Sequence, residues 1–162
     1  MAALSVAMYT GFTAHTNTLE FCISCHEMEE NVYQEYKNSL HYNNRVGVRA
    51  ECPDCHVPKV FPQSVISKIA ASKDVFFHIT GSIDTKEKFE AKRLEMAEKV
   101  WSSMERTGSR ECRSCHSFES MILEEQGRRG RKKHPQGIEE GKTCIDCHKG
   151  VVHKLPKNYK ES

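Results

Sequence analysis

"TCIDCHKGVVH" (residues 143–153) carries Cys144, Cys147, His148 and His153 and almost nothing that could anchor a hydrophobic core. What these four side chains hold is answered by the other cysteines. All 8 cysteines of the chain fall into copies of one pattern, Cys-x-x-Cys-His, with none left over. The copies are "CISCH" (Cys22, Cys25, His26), "CPDCH" (Cys52, Cys55, His56), "CRSCH" (Cys112, Cys115, His116) and "CIDCH" (Cys144, Cys147, His148). This is the attachment signature of c-type haem: two thiols bond the porphyrin vinyls, and the next residue offers an imidazole to the iron. Zinc held by paired Cys-x-x-Cys units, or disulfides, would leave a histidine idle after every second cysteine. Four attached haems use every residue of the pattern.

Composition agrees with a core built partly of cofactor. The 162 residues suit one domain, but only 38% are hydrophobic, 28% are charged and the mean hydropathy is −0.64. That is thin for a self-sufficient protein core, and four porphyrins would supply the missing apolar surface, so the apoprotein is expected to be largely unfolded. A formal net charge of +2, before any haem propionates are counted, marks no nucleic-acid interface.

Haem attachment through thioethers takes place outside the energy-conserving membrane, so export is implied. The opening "MAALSVAMYTGFTA" (1–14) has an apolar run from Ala2 to Ala7 and no basic residue before it, so it is not a complete signal peptide. It is also shorter than the roughly 20 apolar residues of a spanning helix. Residues 1–14 are expected to be the remnant of an N-terminal membrane anchor, the alternative being a peripheral amphipathic stub.

The motifs repeat. Cys22 and Cys52 are 30 residues apart, Cys112 and Cys144 are 32 apart, and the gap from Cys52 to Cys112 is 60. This predicts two dihaem units, 15–60 and 111–162, joined by a helical segment over 61–110. Each unit has a further histidine before its second motif, His41 and His134. The fold class expected is mainly α: a small multihaem cytochrome c fold with a haem-packed core and little regular strand. Val32, Tyr36 and Leu40 predict a helix over Glu29–Tyr42. Pro62 and Gly81 bracket a second. A capping box from Asp84 to Glu87 starts a third, which closes at Gly108, with Trp101 packing on a haem or the core. The basic, glycine-broken "GRRGRKKH" (127–134) predicts a solvated loop, with docking of an acidic redox partner as the alternative.

"TNTLEFCISCHEM", "NRVGVRAECPDCHVP", "IDTKEKFEAKR", "ECRSCH" and "TCIDCHKGVVHKLP", in that order from about Thr16 to Pro156, resemble the NapC/NirT family of membrane-anchored tetrahaem quinol dehydrogenases. The resemblance implies one N-terminal anchor, a haem domain at the periplasmic face of the bacterial inner membrane, oxidation of menaquinol or ubiquinol, and delivery of electrons to a periplasmic reductase of nitrate, nitrite or an N- or S-oxide. A soluble periplasmic multihaem carrier and a catalytic multihaem reductase are the competing classes.

The same resemblance supports His41 and His134 as distal haem ligands. His153, too close to His148 to reach the far face of the same porphyrin, is expected to ligate a neighbouring haem, as the family pattern also implies. His15 and His78 have no such support and read as ordinary histidines. For the first haem the resemblance implies that Met28 binds iron in place of His26; Met28 as a packing residue is the other reading. Lys59 stands where many relatives carry a histidine, which leaves one sixth ligand open among Lys59, His78, a partner residue or none. Lys68 and Asp74 are implied as the quinol-contacting lysine and the aspartate on the distal side of the first haem. By spacing alone they are two solvated charges on an amphipathic helix.

Overall fold

A computed structural model describes residues 2–160. Met1, at the head of the 1–14 segment, and Glu161 and Ser162, at the end of 111–162, lie outside the described residues. Among the described residues every regular element is helical: α1 (Ala2–Thr16), α2 (Leu19–Cys22), a π-helical turn (Met28–Val32) running into α3 (Tyr33–Lys37), α4 (Cys52–His56), α5 (Gln63–Ile79), α6 (Lys86–Arg106), α7 (Arg110–Arg113), two 3₁₀ turns (Phe118–Ser120 and Leu123–Glu125), α8 (Arg128–Glu139) and α9 (Cys144–Cys147). The chain groups into two units, one of residues up to Leu94 together with Val151 onward, the other Glu95–Gly150. The first contains motifs one and two, the second motifs three and four.

Local chemistry explains where helices differ from their sequence patterns. The helix expected over Glu29–Tyr42 ends at Lys37, and Leu40 is 77% exposed. Asn31 Nδ2 donates to the Glu27 carbonyl (2.9 Å) and Asn38 Nδ2 to that of Gln34 (2.8 Å). Asparagine side chains that take carbonyls in this way compete with backbone amides, and the chain answers first with a π turn and then with a stop. Pro62 and Gly81 bracket α5 as expected, with Gly81 at φ +64°. At the start of α6 the cap is Thr85, whose Oγ1 accepts from Lys88 N (3.3 Å); Asp84 instead pairs with Lys88 Nζ (2.6 Å). The run 127–134 is not a loop. It forms the first half of α8, with Arg128, Arg129, Arg131, Lys132 and Lys133 exposed and Pro135 inside the helix. The charges are solvated as expected, but side-chain bonds such as Gln136 Nε2 to Glu140 Oε1 (2.7 Å) support the helix that carries them.

Little apolar surface is buried. Among the described residues, Leu19, Tyr36, Ile83 and Phe89 are the buried apolar residues of the first unit and Ile145 that of the second. Ile66, Ile69, Val75, Phe76 and Ile79 of α5 stay exposed, as do Leu4, Val6, Met8 and Phe12 of α1. No helix among the described residues is long and apolar enough to cross a membrane. With so few buried side chains each one weighs heavily. Phe89, 3% exposed and covered by the Arg93 guanidinium 5.2 Å from its ring centre, is central. Phe89→Ala is expected to lower the stability of the haem-loaded protein by about 3–5 kcal/mol, read by denaturant titration.

Candidate haem-binding sites

Motifs two and four lie on short capped helices, α4 and α9, whereas motif one begins at the last residue of α2 and motif three within α7, and both run on beyond those helices. Thr18 caps α2 by accepting from Phe21 N (3.1 Å). Motifs two and four use a second device: Glu51 N donates to Asp54 Oδ2 (2.9 Å) and Thr143 N to Asp146 Oδ2 (2.6 Å), the reciprocal bonds of a capping box. The aspartates are the third residues of "CPD" and "CID", so the signal was present in the motifs themselves. Motif three is launched from Ser109, which is fully buried at φ +52°. Its Oγ accepts from Ile145 N (3.1 Å), tying the third motif to the fourth. In the first unit the Cys22 and Cys52 thiols share a hydrogen bond, which holds Cys22 down to about 7 and pushes Cys52 up. In a motif carrying attached haem these sulfurs would be thioethers, which do not titrate.

Histidine rings oppose one another behind these motifs. His56 and His153 lie with ring centres 6.3 Å apart and His134 and His148 at 5.9 Å, the planes inclined by 36° and 37°. Two metal–imidazole bonds of about 2 Å end to end, plus the ring radius at each end, place such centres roughly 6 Å apart. Both pairs therefore have the separation of imidazoles on opposite sides of one iron. His134 Nδ1 donates to Gln126 Oε1 (2.6 Å), which leaves Nε2 as the nitrogen that could serve a metal. His153 Nδ1 is buried without a hydrogen-bond partner, 3.8 Å from Glu35 Oε2. Desolvation depresses His56 to about 4, with His153 adding to the effect. Desolvation also lowers His148 and His153. A neutral imidazole is the ligand form.

The first motif is built differently. His26 Nε2 bonds the Asp84 carbonyl (3.0 Å) and Nδ1 lies 3.5 Å from Glu27, so both ring nitrogens are engaged by protein. Glu27 is only 2% exposed and bonds His78 Nδ1 at 2.7 and 2.9 Å. Burial alone would raise this carboxyl, but His78 and His26 bring it below its ordinary value. The His26 and His78 rings are 5.7 Å apart, yet they address Glu27 rather than a common centre. Met28 follows at the start of the π turn, part-buried.

The other residues that the sequence points to are distributed more widely. His41 lies part-buried in the turn after α3, its carbonyl accepting from Ala50 N (3.1 Å), and His116 follows α7, exposed. Lys59 Nζ pairs with Asp54 Oδ1 at 2.8 Å. His15 packs edge-on against Phe21, and Lys149 lies over Trp101. Lys68 on α5 donates to Thr16 Oγ1 (2.6 Å) and Asn17 Oδ1 (2.7 Å) at the end of α1, lies 5.7 Å from the Phe12 ring centre, and has its pKa lowered by desolvation against the pull of Cys22. Asp74 is exposed six residues along α5, about 120° around the helix from Lys68. Glu27, Glu35, Arg93 and Ser109 do not stand out in the sequence, because buried polar residues look like any others until the fold brings their partners.

Residues 1–158 match the NapC/NirT cytochrome c family, N-terminal region. The chain belongs to this family. It is 55% identical over 146 residues to the denitrification system component NirT of Stutzerimonas stutzeri, covering 90% of this chain and 73% of that protein. It is 57% identical over 140 residues to the cytochrome c-type protein NapC of Escherichia coli (strain K12), covering 86% and 70%. A putative tetraheme cytochrome-c type of Allochromatium vinosum is 54% identical over 141 residues, covering 87% and 76%. No solved structure matches. Membership in the NapC/NirT family makes haem c the cofactor, and the residues fit it: imidazole pairs at iron-spanning distance, a buried Tyr36 hydroxyl without a hydrogen-bond partner, and few buried side chains.

Replacing Ser109 by alanine leaves the Ile145 amide buried with no acceptor, an expected loss of about 1–3 kcal/mol. Denaturant titration of the haem-loaded protein, with haem content unchanged, reads it.

Proposed function

We propose that the chain is a tetrahaem c-type cytochrome that oxidises membrane quinol and passes the electrons to a periplasmic terminal reductase of nitrate, nitrite or an N- or S-oxide. The observation that carries this is the pair of opposed imidazoles behind motifs two and four, on a chain of the NapC/NirT family with four attachment motifs. Four covalent haems are attached through Cys22 and Cys25, Cys52 and Cys55, Cys112 and Cys115, and Cys144 and Cys147. Residues 15–60 and 111–162 each carry two motifs, and 61–110 bears the quinol-facing helix. When bound, the haems supply reversible one-electron storage.

Ligation is assigned to His56 with His153 and to His148 with His134, and also to His116 and His41. At the first motif Met28 is the ligand, because both nitrogens of His26 are spoken for. Lys68 is the quinol-contacting group: a cation with a depressed pKa, steadied by Thr16 and Asn17 and near Cys22, it can donate to a quinone oxygen. Asp74, exposed on the same helix, is the proton-accepting carboxylate. Apolar side chains exposed around α1 and along α5 suit lipid contact, and residues 1–14 belong to an N-terminal anchor at the periplasmic face of the inner membrane. The reductase class accords with the names of the relatives, a denitrification component among them.

Protein matured with the haem-attachment apparatus should show four added haems by mass spectrometry, and alanine at His41, His134 or His153 should each turn one haem high-spin. Fewer haems, or unchanged low-spin spectra, would remove the assignments concerned. Lys68→Gln should slow reduction by a quinol analogue about tenfold or more while reduction by dithionite is unchanged. Equal quinol-driven rates would take Lys68 out of the mechanism.

A further inference from the structure

Glu35 lies at the centre of a buried charged cluster that no haem-attachment motif accounts for. It is on α3, and its carboxylate receives Arg93 Nη1 at Oε2 (3.1 Å) and Arg93 Nη2 at Oε1 (3.0 Å). Arg93, on α6, is also held by Glu90, with Nη2 2.7 Å from Glu90 Oε1. The side chains of Glu35 and Arg93 are 10% and 9% exposed. Burying such a pair is costly and stabilises little against an apolar alternative, so its position needs a reason. That position is directly behind His153: Oε2 also accepts from Lys154 N (3.1 Å) and lies 3.8 Å from His153 Nδ1. One carboxylate thus anchors the backbone next to His153 and lies beside its ring, 3.8 Å from Nδ1.

We propose that Glu35, with Arg93 as its counter-charge, is a positioning residue for the haem between His56 and His153, holding the His153 ring so that Nε2 faces His56 and setting the reduction potential of that haem. The inference rests on the ligation assigned above. A carboxylate behind Nδ1 strengthens donation from the ring to the metal, and outer groups of this kind orient ligands and tune the metal they hold. Donation favours ferric iron, so Glu35 lowers the potential of this haem, and Arg93 moderates it.

The test is a spectroelectrochemical titration of the full haem-loaded protein. Glu35→Gln should shift one of four potentials upward, leave the other three unchanged and keep all haems low-spin. Arg93→Gln, which exposes the carboxylate charge, should shift the same haem downward. Opposite shifts confined to one haem support the proposal; no shift, shifts in the same direction, or a shift spread over all four overturn it. If Glu35→Gln fails to take up four haems, Glu35→Asp and Arg93→Gln carry the test. His153→Ala separates the two levels. If it yields no high-spin haem, the ligand assignment has failed; if it does and the glutamine variants shift nothing, only the role of Glu35 has failed.

Discussion

Imidazoles that face each other across the space of one metal ion organise this protein. His56 opposes His153, and His134 opposes His148, each pair at a separation an iron would bridge. Members of a pair come from separate segments of the chain, so a metal bridging them would act as a staple in a fold with few buried side chains. Short capped helices serve the same end. In motifs two and four they fix the first and second cysteines relative to each other, and α9 also buries Ile145.

Buried charge follows the same logic. Glu27, Glu35 and Arg93 would be liabilities in an ordinary small core, where desolvation outweighs most ion pairs. Here they surround histidines: Glu27 stands between His26 and His78, Glu35 behind His153, and Arg93 against Glu35. The first motif is set apart by this means, since Asp84 and Glu27 engage the ring of its histidine. Lys68 extends the pattern to the surface, where a partly desolvated ammonium is steadied by two neutral oxygens rather than by a carboxylate.

The motif chemistry, the all-helical class, the limits of α5 and the family were legible in sequence, because each depends on residues within a few positions of one another or on apolar spacing. Cys-x-x-Cys-His is a local geometry, and Pro62 and Gly81 act on their own backbone. The end of α3 at Lys37 and the helix α8 were not legible, for a physical reason. Asn31 and Asn38 redirect carbonyls that apolar periodicity assigns to the helix ladder, and a glycine-broken basic run can still be helical when side-chain bonds support it.

Sequence by itself determined the family and, with it, haem c as the cofactor, since Cys-x-x-Cys-His is a pattern of chain neighbours. Tertiary structure alone decided which rings meet, that His153 faces His56, that His78 serves Glu27, and that Ser109 takes up a left-handed backbone to reach Ile145. Those are distances between residues far apart in sequence, set by how capped turns pack around the space the cofactor requires, and no spacing along the chain encodes them.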